Sequence, residues 1–258
     1  MVLTPNDPMQ RFSSRVEDYV RYRPGYPEAV IATLHAECRL ERASLVADFG
    51  SGTGLLSRLF LRNGNPVLAV EPNPEMRAAG ERLLGSFPGF RSVSGRAESS
   101  TLADHSVDFV VAGQAFHWFD PRMARDEFVR ILKPTGWGVL IWNQVDIRAT
   151  AFLRAYERLL QKYATYRIRV DHRERDAAAA AALFGTGGFK SDTFEHSQRF
   201  DYTGVRGRTL SLSSIPGPSD PGHEKMLAEL AEIFQAYHTD DIVELPYTTT
   251  MYYGRLSG

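Results

Sequence analysis

The stretch Val46-Ala47-Asp48-Phe49-Gly50-Ser51-Gly52-Thr53-Gly54, answered downstream by Val67-Leu68-Ala69-Val70-Glu71, decides the fold. An apolar run enters three alternating glycines and leaves into Leu55-Leu56-Ser57-Arg58-Leu59-Phe60-Leu61, the pattern of a buried parallel strand, a tight turn and a packed helix. Glycine lacks a Cβ, so such a turn reaches positive φ and lets a ligand touch its backbone. Glu71 ends the next strand, where a carboxylate can accept hydrogen bonds from both hydroxyls of a ribose. The spacing is G-x-G-x-G rather than the G-x-G-x-x-G of a dinucleotide turn, and no Lys or Arg lies in it to meet a pyrophosphate. A nucleoside without phosphates fits this turn better than a dinucleotide does. The plain alternative is a turn that only tightens a strand-to-helix connection.

Outward from that stretch, strands alternate with helical patterns, as a doubly wound sheet requires. The spacing predicts helices over 27–40, 54–62, 74–84 and 121–132, and strands over 45–49, 67–71, 90–94, 107–112 and 137–143. In the second half, 152–163 and 227–237 read as helices, the alanine tract 177–182 as a helix former, 193–202 as strand six and 247–253 as strand seven. The apolar spacing of 152–163 suits core or lid packing. The Pro- and Gly-rich segment 210–218 suits either a gating loop or a surface crossover.

Composition narrows the class. A chain of 258 residues with 43% hydrophobic content buries a substantial core, and 30 basic against 31 acidic residues give a net charge of −1. That balance gives no overall pull toward nucleic acid or an anionic membrane. The single cysteine, Cys38, excludes an intramolecular disulfide and a cysteine-rich zinc site, which points to a reducing cytoplasm. The first residues carry no basic-then-apolar leader, and no run is long enough to span a bilayer. No metal site is expected.

D-x-G-x-G-T-G after a strand, with an acidic residue ending the next one, resembles motif I and its partner in class I S-adenosylmethionine (SAM) dependent methyltransferases. Gly95-Arg96-Ala97-Glu98 resembles that family's adenine turn, Gln114-Ala115-Phe116-His117-Trp118-Phe119-Asp120 its segment after strand four, and Ile131-Leu132-Lys133-Pro134-Thr135-Gly136 its turn into strand five, usually L-K-P-G-G. The resemblance implies an α/β fold with a Rossmann-like, seven-stranded mixed sheet, helices on both faces and an antiparallel last strand. It implies SAM as cofactor, S-adenosylhomocysteine as product and a small-molecule acceptor. Asp48, Gly50, Ser51, Gly52 and Gly54 would form the cofactor turn, Glu71 and Pro72 the ribose edge, Ala97 and Glu98 the adenine contact, and Gln114 and Ala115 the methionine end. Glu98 also suits a partner for a helix N-terminus.

The segment 11–27, with Tyr19-Val20-Arg21-Tyr22-Arg23-Pro24-Gly25-Tyr26-Pro27, resembles the Y-x-x-Y-R-P-x-Y-P entrance of type-11 methyltransferases, including the trans-aconitate methyltransferase-like group. Tyr19, Tyr22 and Arg23 would then cover the cofactor, Arg23 facing its carboxylate. An amphipathic helix carrying Phe12, Val16, Tyr19 and Val20 that packs on the domain, with Arg23 in a surface ion pair, is equally consistent. His117 suits a general base or a histidine that shapes its loop. One domain is expected, divided into a cap (1–40), a SAM-binding core (41–145) and a lid with closing strands (146–258). Two further readings stay open, a silent SAM-binding module and an NAD(P)-dependent oxidoreductase; the acceptor's nucleophile and the oligomeric state are not encoded in any motif.

Overall fold

The computed structural model describes residues 16–165 and 172–256. Seven strands form one sheet in the order β3-β2-β1-β4-β5-β7-β6: β1 (Val46–Phe49), β2 (Val67–Val70), β3 (Phe90–Val93), β4 (Val107–Gly113), β5 (Leu132–Val145), β6 (Lys190–Phe200) and β7 (Val243–Gly254). β1 to β5 pair in parallel, and β7 enters antiparallel between β5 and β6. The expected mixed sheet with an antiparallel last strand is therefore present.

The helices are α1 (Val16–Tyr22), α2 (Ala29–Cys38), α3 (Leu55–Asn63), α4 (Pro74–Leu84), α5 (Pro121–Ile131), α6 (Ala151–Tyr163), α7 (His172–Phe184), α8 (Tyr202–Leu210) and α9 (His223–Tyr237). Val30 and Leu34 of α2 and Phe60 of α3 pack with Val111, Val139 and Ile141 on one face of the sheet. Phe128 of α5 and Leu183 and Phe184 of α7 cover Val110, Leu140 and Trp142 on the other. A third cluster forms where Phe152, Leu159, Val205, Leu230 and Phe234 of α6, α8 and α9 close on Leu245 and Tyr247 of β7. Burying these apolar faces, at about 25 cal/mol per Å² of apolar surface, drives the layering.

The structure extends the sequence reading at three places. β5 begins at Leu132, five residues before the expected strand, because Leu132 already pairs with Val107; Lys133-Pro134-Thr135-Gly136 then bulges out, with Lys133 Nζ on Asp108 Oδ1 at 2.8 Å, before pairing resumes at Trp137. β6 ends at Phe200, two residues before the expected end of strand six, and residues 202–210, where no element was expected beyond Tyr202, form α8; Asp201 caps that helix by accepting from Gly204 N at 2.7 Å. β6 and β7 pair antiparallel, but α8 and α9 lie between them in the chain, so no tight hairpin joins them. Phe12 and the rest of 12–15, part of the expected cap, lie outside the described residues, as does the side chain of Tyr19.

Candidate functional site

At the carboxyl end of β1 the chain turns sharply. Gly50 N and Ser51 N both donate to Val70 O, at 2.9 and 3.2 Å, so the turn is pinned to the end of β2. Gly50, Gly52 and Gly54 all have positive φ, at 63°, 58° and 86°. They serve different ends. A Cβ on Gly50 would sit 2.7 Å from Ala115 Cβ, and one on Gly54 would collide with Leu84 Cδ1, so both are required by the protein's own packing. A Cβ on Gly52 would meet nothing nearer than Met76 Cε at 3.4 Å. Gly52 is thus the member of the triplet at which a Cβ would meet only ordinary contact.

Glu71 leaves the end of β2 with its side chain buried. Its Oε2 accepts from Gly52 N at 2.9 Å and its Oε1 from Asn73 N at 2.8 Å, which leaves each oxygen a further lone pair. Asn73 in turn caps α4 by accepting from Glu75 N and Met76 N, with Pro74 at the first helical position. Burial raises the Glu71 pKa above the usual carboxylate range, against the pull of the two amides and of Arg77.

Asp48, one strand away, is 1% exposed. Its Oδ2 accepts from Ser57 Oγ at 2.6 Å, while its Oδ1 is buried without a hydrogen bond. Burial pushes its pKa up to about 7; the Ser57 hydrogen bonds oppose this and the charge of Glu71 adds to it. An open oxygen on so buried a carboxyl is costly unless a donor or cation meets it.

The remaining expected residues divide. Pro72 follows Glu71 at the turn's rim and is half-buried. Ala97 is buried. Glu98 Oε1 accepts from Asp120 N at 2.9 Å, and Asp120 itself caps α5, so Glu98 is held at a helix N-terminus. Gln114 is a non-glycine residue at φ 56°; its backbone N donates to Ile141 O at 2.9 Å and its Nε2 to Asn143 O at 2.8 Å. Ala115 is buried beneath Gly50. His117 is exposed, its ring centroid 4.9 Å from that of Trp118. The Tyr22 ring packs where a Cβ on Gly207 would sit and lies edge-on to Phe200, and Arg23 Nη2 donates to Ser211 O at 3.0 Å, so both side chains turn toward α8 and its C-terminal end. The structure therefore brings Asp48, Gly52, Glu71 and Gln114 to the carboxyl ends of neighbouring strands, and turns Tyr22 and Arg23 toward α8 and Ser211. Ser57, Asn73 and Asn143 were not foreseen; an Asn-Pro pair before a helical pattern is a cap signal that could have found Asn73. Among the described residues no group of three or more His, Cys, Asp or Glu is arranged to hold a metal ion. Among the same residues no helix is long and apolar enough to cross a membrane.

A sheet of this order with a glycine turn after β1 and an acid after β2 is the architecture of a class I SAM-dependent methyltransferase. The family model of the type-11 methyltransferase domain matches residues 47–140. An uncharacterized methyltransferase of Schizosaccharomyces pombe is 31% identical over 239 residues, 90% of this chain and 91% of its own. An uncharacterized methyltransferase of Mycobacterium tuberculosis is 40% identical over 149 residues, 57% of this chain and 58% of its own. A solved structure described as a candidate type II methyltransferase of Anaeromyxobacter dehalogenans superposes with a TM-score of 0.67 at 20% identity, covering 91% of this chain and 98% of that one, which is a likeness of fold. The chain belongs to the class I SAM-dependent methyltransferases, with the match to the type-11 domain confined to 47–140. Its cofactor is S-adenosyl-L-methionine.

Proposed function

We propose that this enzyme transfers the methyl group of SAM to an oxygen, carboxylate or hydroxyl, of a small-molecule acceptor. The observation that carries the reading is the pair of buried carboxylates beside the turn: Glu71 pinned to the amides of Gly52 and Asn73, and Asp48 with its Oδ1 open. Asp48 Oδ1 suits the ammonium of the cofactor, the spare lone pairs of Glu71 suit the two ribose hydroxyls, and Gly52, free of a Cβ, would let the cofactor approach its backbone between them. Gly50, Ser51, Gly54 and Pro72 shape that turn. Ala97 and Glu98 would border the adenine, and Gln114 and Ala115 the methionine end. Tyr19, Tyr22 and Arg23 belong to a strap across that end.

When bound, the cofactor supplies a methyl group already activated by its sulfonium, so in-line attack by the acceptor oxygen forms the new bond as the bond to sulfur breaks. The chain's own task is to align, to exclude water and, for a hydroxyl acceptor, to take one proton. We assign that proton to His117; a carboxylate acceptor needs no base. The entrance motif 19–27 supports the trans-aconitate methyltransferase-like group as the nearer kin. The net charge of −1 favours a small molecule over nucleic acid or a membrane surface, and a buried Cys38, its thiol raised to about 12 by burial, suits a reducing cytoplasm.

Calorimetry with SAM and with NAD, followed by detection of S-adenosylhomocysteine across a panel of carboxylic acids, alcohols and amines, tests the proposal. Heat with SAM, none with NAD, and product with an oxygen acceptor are expected. Binding without turnover on any acceptor would make the protein a silent SAM-binding module, and turnover on amines alone would overturn the oxygen assignment.

A further inference from the structure

We propose that Asn143 is a positioning residue that locks the N-terminal strap and the Gln114 side chain to one point of the central sheet, so that the strap and the methionine end of the cofactor cleft form as a unit. The inference rests on the cofactor site argued above, since its functional consequence runs through the strap at the methionine end of that site.

Asn143 stands near the carboxyl end of β5 and pairs with Thr249 of β7. It is buried, and it makes three long-range connections. Its Nδ2 donates to Gly25 O at 2.9 Å, its Oδ1 accepts from Thr249 Oγ1 at 2.5 Å, and its backbone O accepts from Gln114 Nε2 at 2.8 Å. The amide orientation follows from chemistry: Gly25 O can only accept, so the NH₂ must face it and the oxygen must face the Thr249 hydroxyl. A carboxylate could not replace this amide, because it would oppose the Gly25 carbonyl with a second acceptor.

The strap has other attachments, and they lead elsewhere. Arg23 reaches Ser211 O beyond α8, Tyr22 packs on Gly207, and Gln198 Nε2 of β6 donates to Tyr22 O at a long 3.5 Å. Those tie the strap to the C-terminal half. Asn143 ties it to the sheet that carries the glycine turn, and Tyr26 follows at once, its hydroxyl so close to Gly113 that a Cβ there would collide with it. Gly113 precedes Gln114, whose left-handed backbone carries an intrinsic cost and is held by the bonds to Ile141 O and Asn143 O. One residue thus holds the strap through its side chain and the cleft wall through its carbonyl.

The test compares Asn143→Ala and Asn143→Asp with wild type, all of which keep the backbone carbonyl of residue 143 for Gln114, and uses Thr249→Val as the control that removes a buried hydroxyl while sparing the Gly25 contact. Hydrogen exchange over 22–27 in the ligand-free protein is read first. Both Asn143 variants should lose roughly five- to thirtyfold in protection there, and the KM for SAM should rise by a similar factor with kcat changed far less. Thr249→Val should lower the melting temperature yet keep strap protection and KM within about twofold. Unchanged strap exchange in a folded Asn143→Asp protein would overturn the inference, as would equal effects on kcat and KM or a Thr249→Val protein as impaired as Asn143→Ala. If Asn143→Ala does not fold, the volume-conserving Asn143→Asp carries the comparison. A wild-type protein that gave no heat with SAM would sink the cofactor site, whereas the ligand-free exchange data judge the strap bond on their own.

Discussion

Glu71 Oε2 and Gly52 N are joined by a hydrogen bond of 2.9 Å across 19 residues of chain. The acid at the end of β2 is therefore part of the glycine turn rather than a separate wall facing it. Glu71 holds the turn open at Gly52 while its other oxygen fixes the N-terminus of α4 through Asn73 N. In the proposed reading, ligand recognition and loop geometry share one carboxylate. Removing it disturbs both.

Glu71→Ala should accordingly weaken SAM binding by about 2–3 kcal/mol, the worth of hydrogen bonds to a charged group, and should also lower the melting temperature, since the buried Asn73 amide and the half-buried Gly52 amide lose their acceptor. Calorimetry and a thermal melt on the same sample check the two effects. Full affinity in a folded Glu71→Ala protein would remove the residue from the site.

The glycine triplet should separate by position. Gly54→Ala drives a Cβ into Leu84 Cδ1, a fully buried side chain, at φ 86°, so it should cost about 1–3 kcal/mol of stability. Gly52→Ala has room and should cost about 1 kcal/mol through its φ alone, while losing cofactor affinity. Gly52→Val should abolish binding. Equal stability losses at both positions, measured by urea denaturation, would refute the division of roles.

The pH dependence follows from Asp48. Its folded pKa lies near 7, above an ordinary 3.8, so between those values the native state holds a proton that the unfolded chain has released. Folding stability without ligand should therefore fall as pH rises from about 4 to about 7, and Asp48→Asn should flatten that slope. SAM affinity should move the opposite way, tightening toward and above pH 7 as the carboxylate ionises to meet an ammonium. Calorimetry at pH 6 and pH 8 reads the second effect; affinity independent of pH would end the assignment of Asp48 to the ammonium.

The core of this arrangement was legible in the sequence because it is local. Strand, turn and helix from Val46 to Asn63 follow one another in the chain, and apolar periodicity marks each. Asn143 was not legible, because its side-chain partners lie 118 and 106 residues away and a lone asparagine at a strand end carries no spacing signal. α8 was hidden for a different reason. Gly204 and Gly207 lower its helix propensity, but packing requires them: a Cβ at Gly204 would press on Phe200, four residues earlier, and one at Gly207 would enter the ring of the distant Tyr22. Glu98 showed only one of its two candidate roles in the chain's own contacts, since its bond to Asp120 N depends on a helix start 22 residues on.

That glycine on α8 yields the last prediction. Helical Gly207 has no need of positive φ, so in an isolated helix alanine would be favoured there by about 1 kcal/mol. In this protein the Tyr22 ring occupies the space of the missing Cβ, with Phe200 edge-on at 6.4 Å between centroids. Gly207→Ala must displace the ring and with it the strap end that carries Arg23 to Ser211 O. The overpacking cost, about 1–3 kcal/mol, should outweigh the propensity gain and leave a net loss of stability. Tyr22→Ala should restore the melting temperature of the Gly207→Ala protein above that of the single variant, because the clash has gone, whereas Tyr22→Ala alone should destabilise wild type by removing a packed ring. A Gly207→Ala protein more stable than wild type, or a double variant whose losses simply add, would mean that the ring does not sit on the helix in solution.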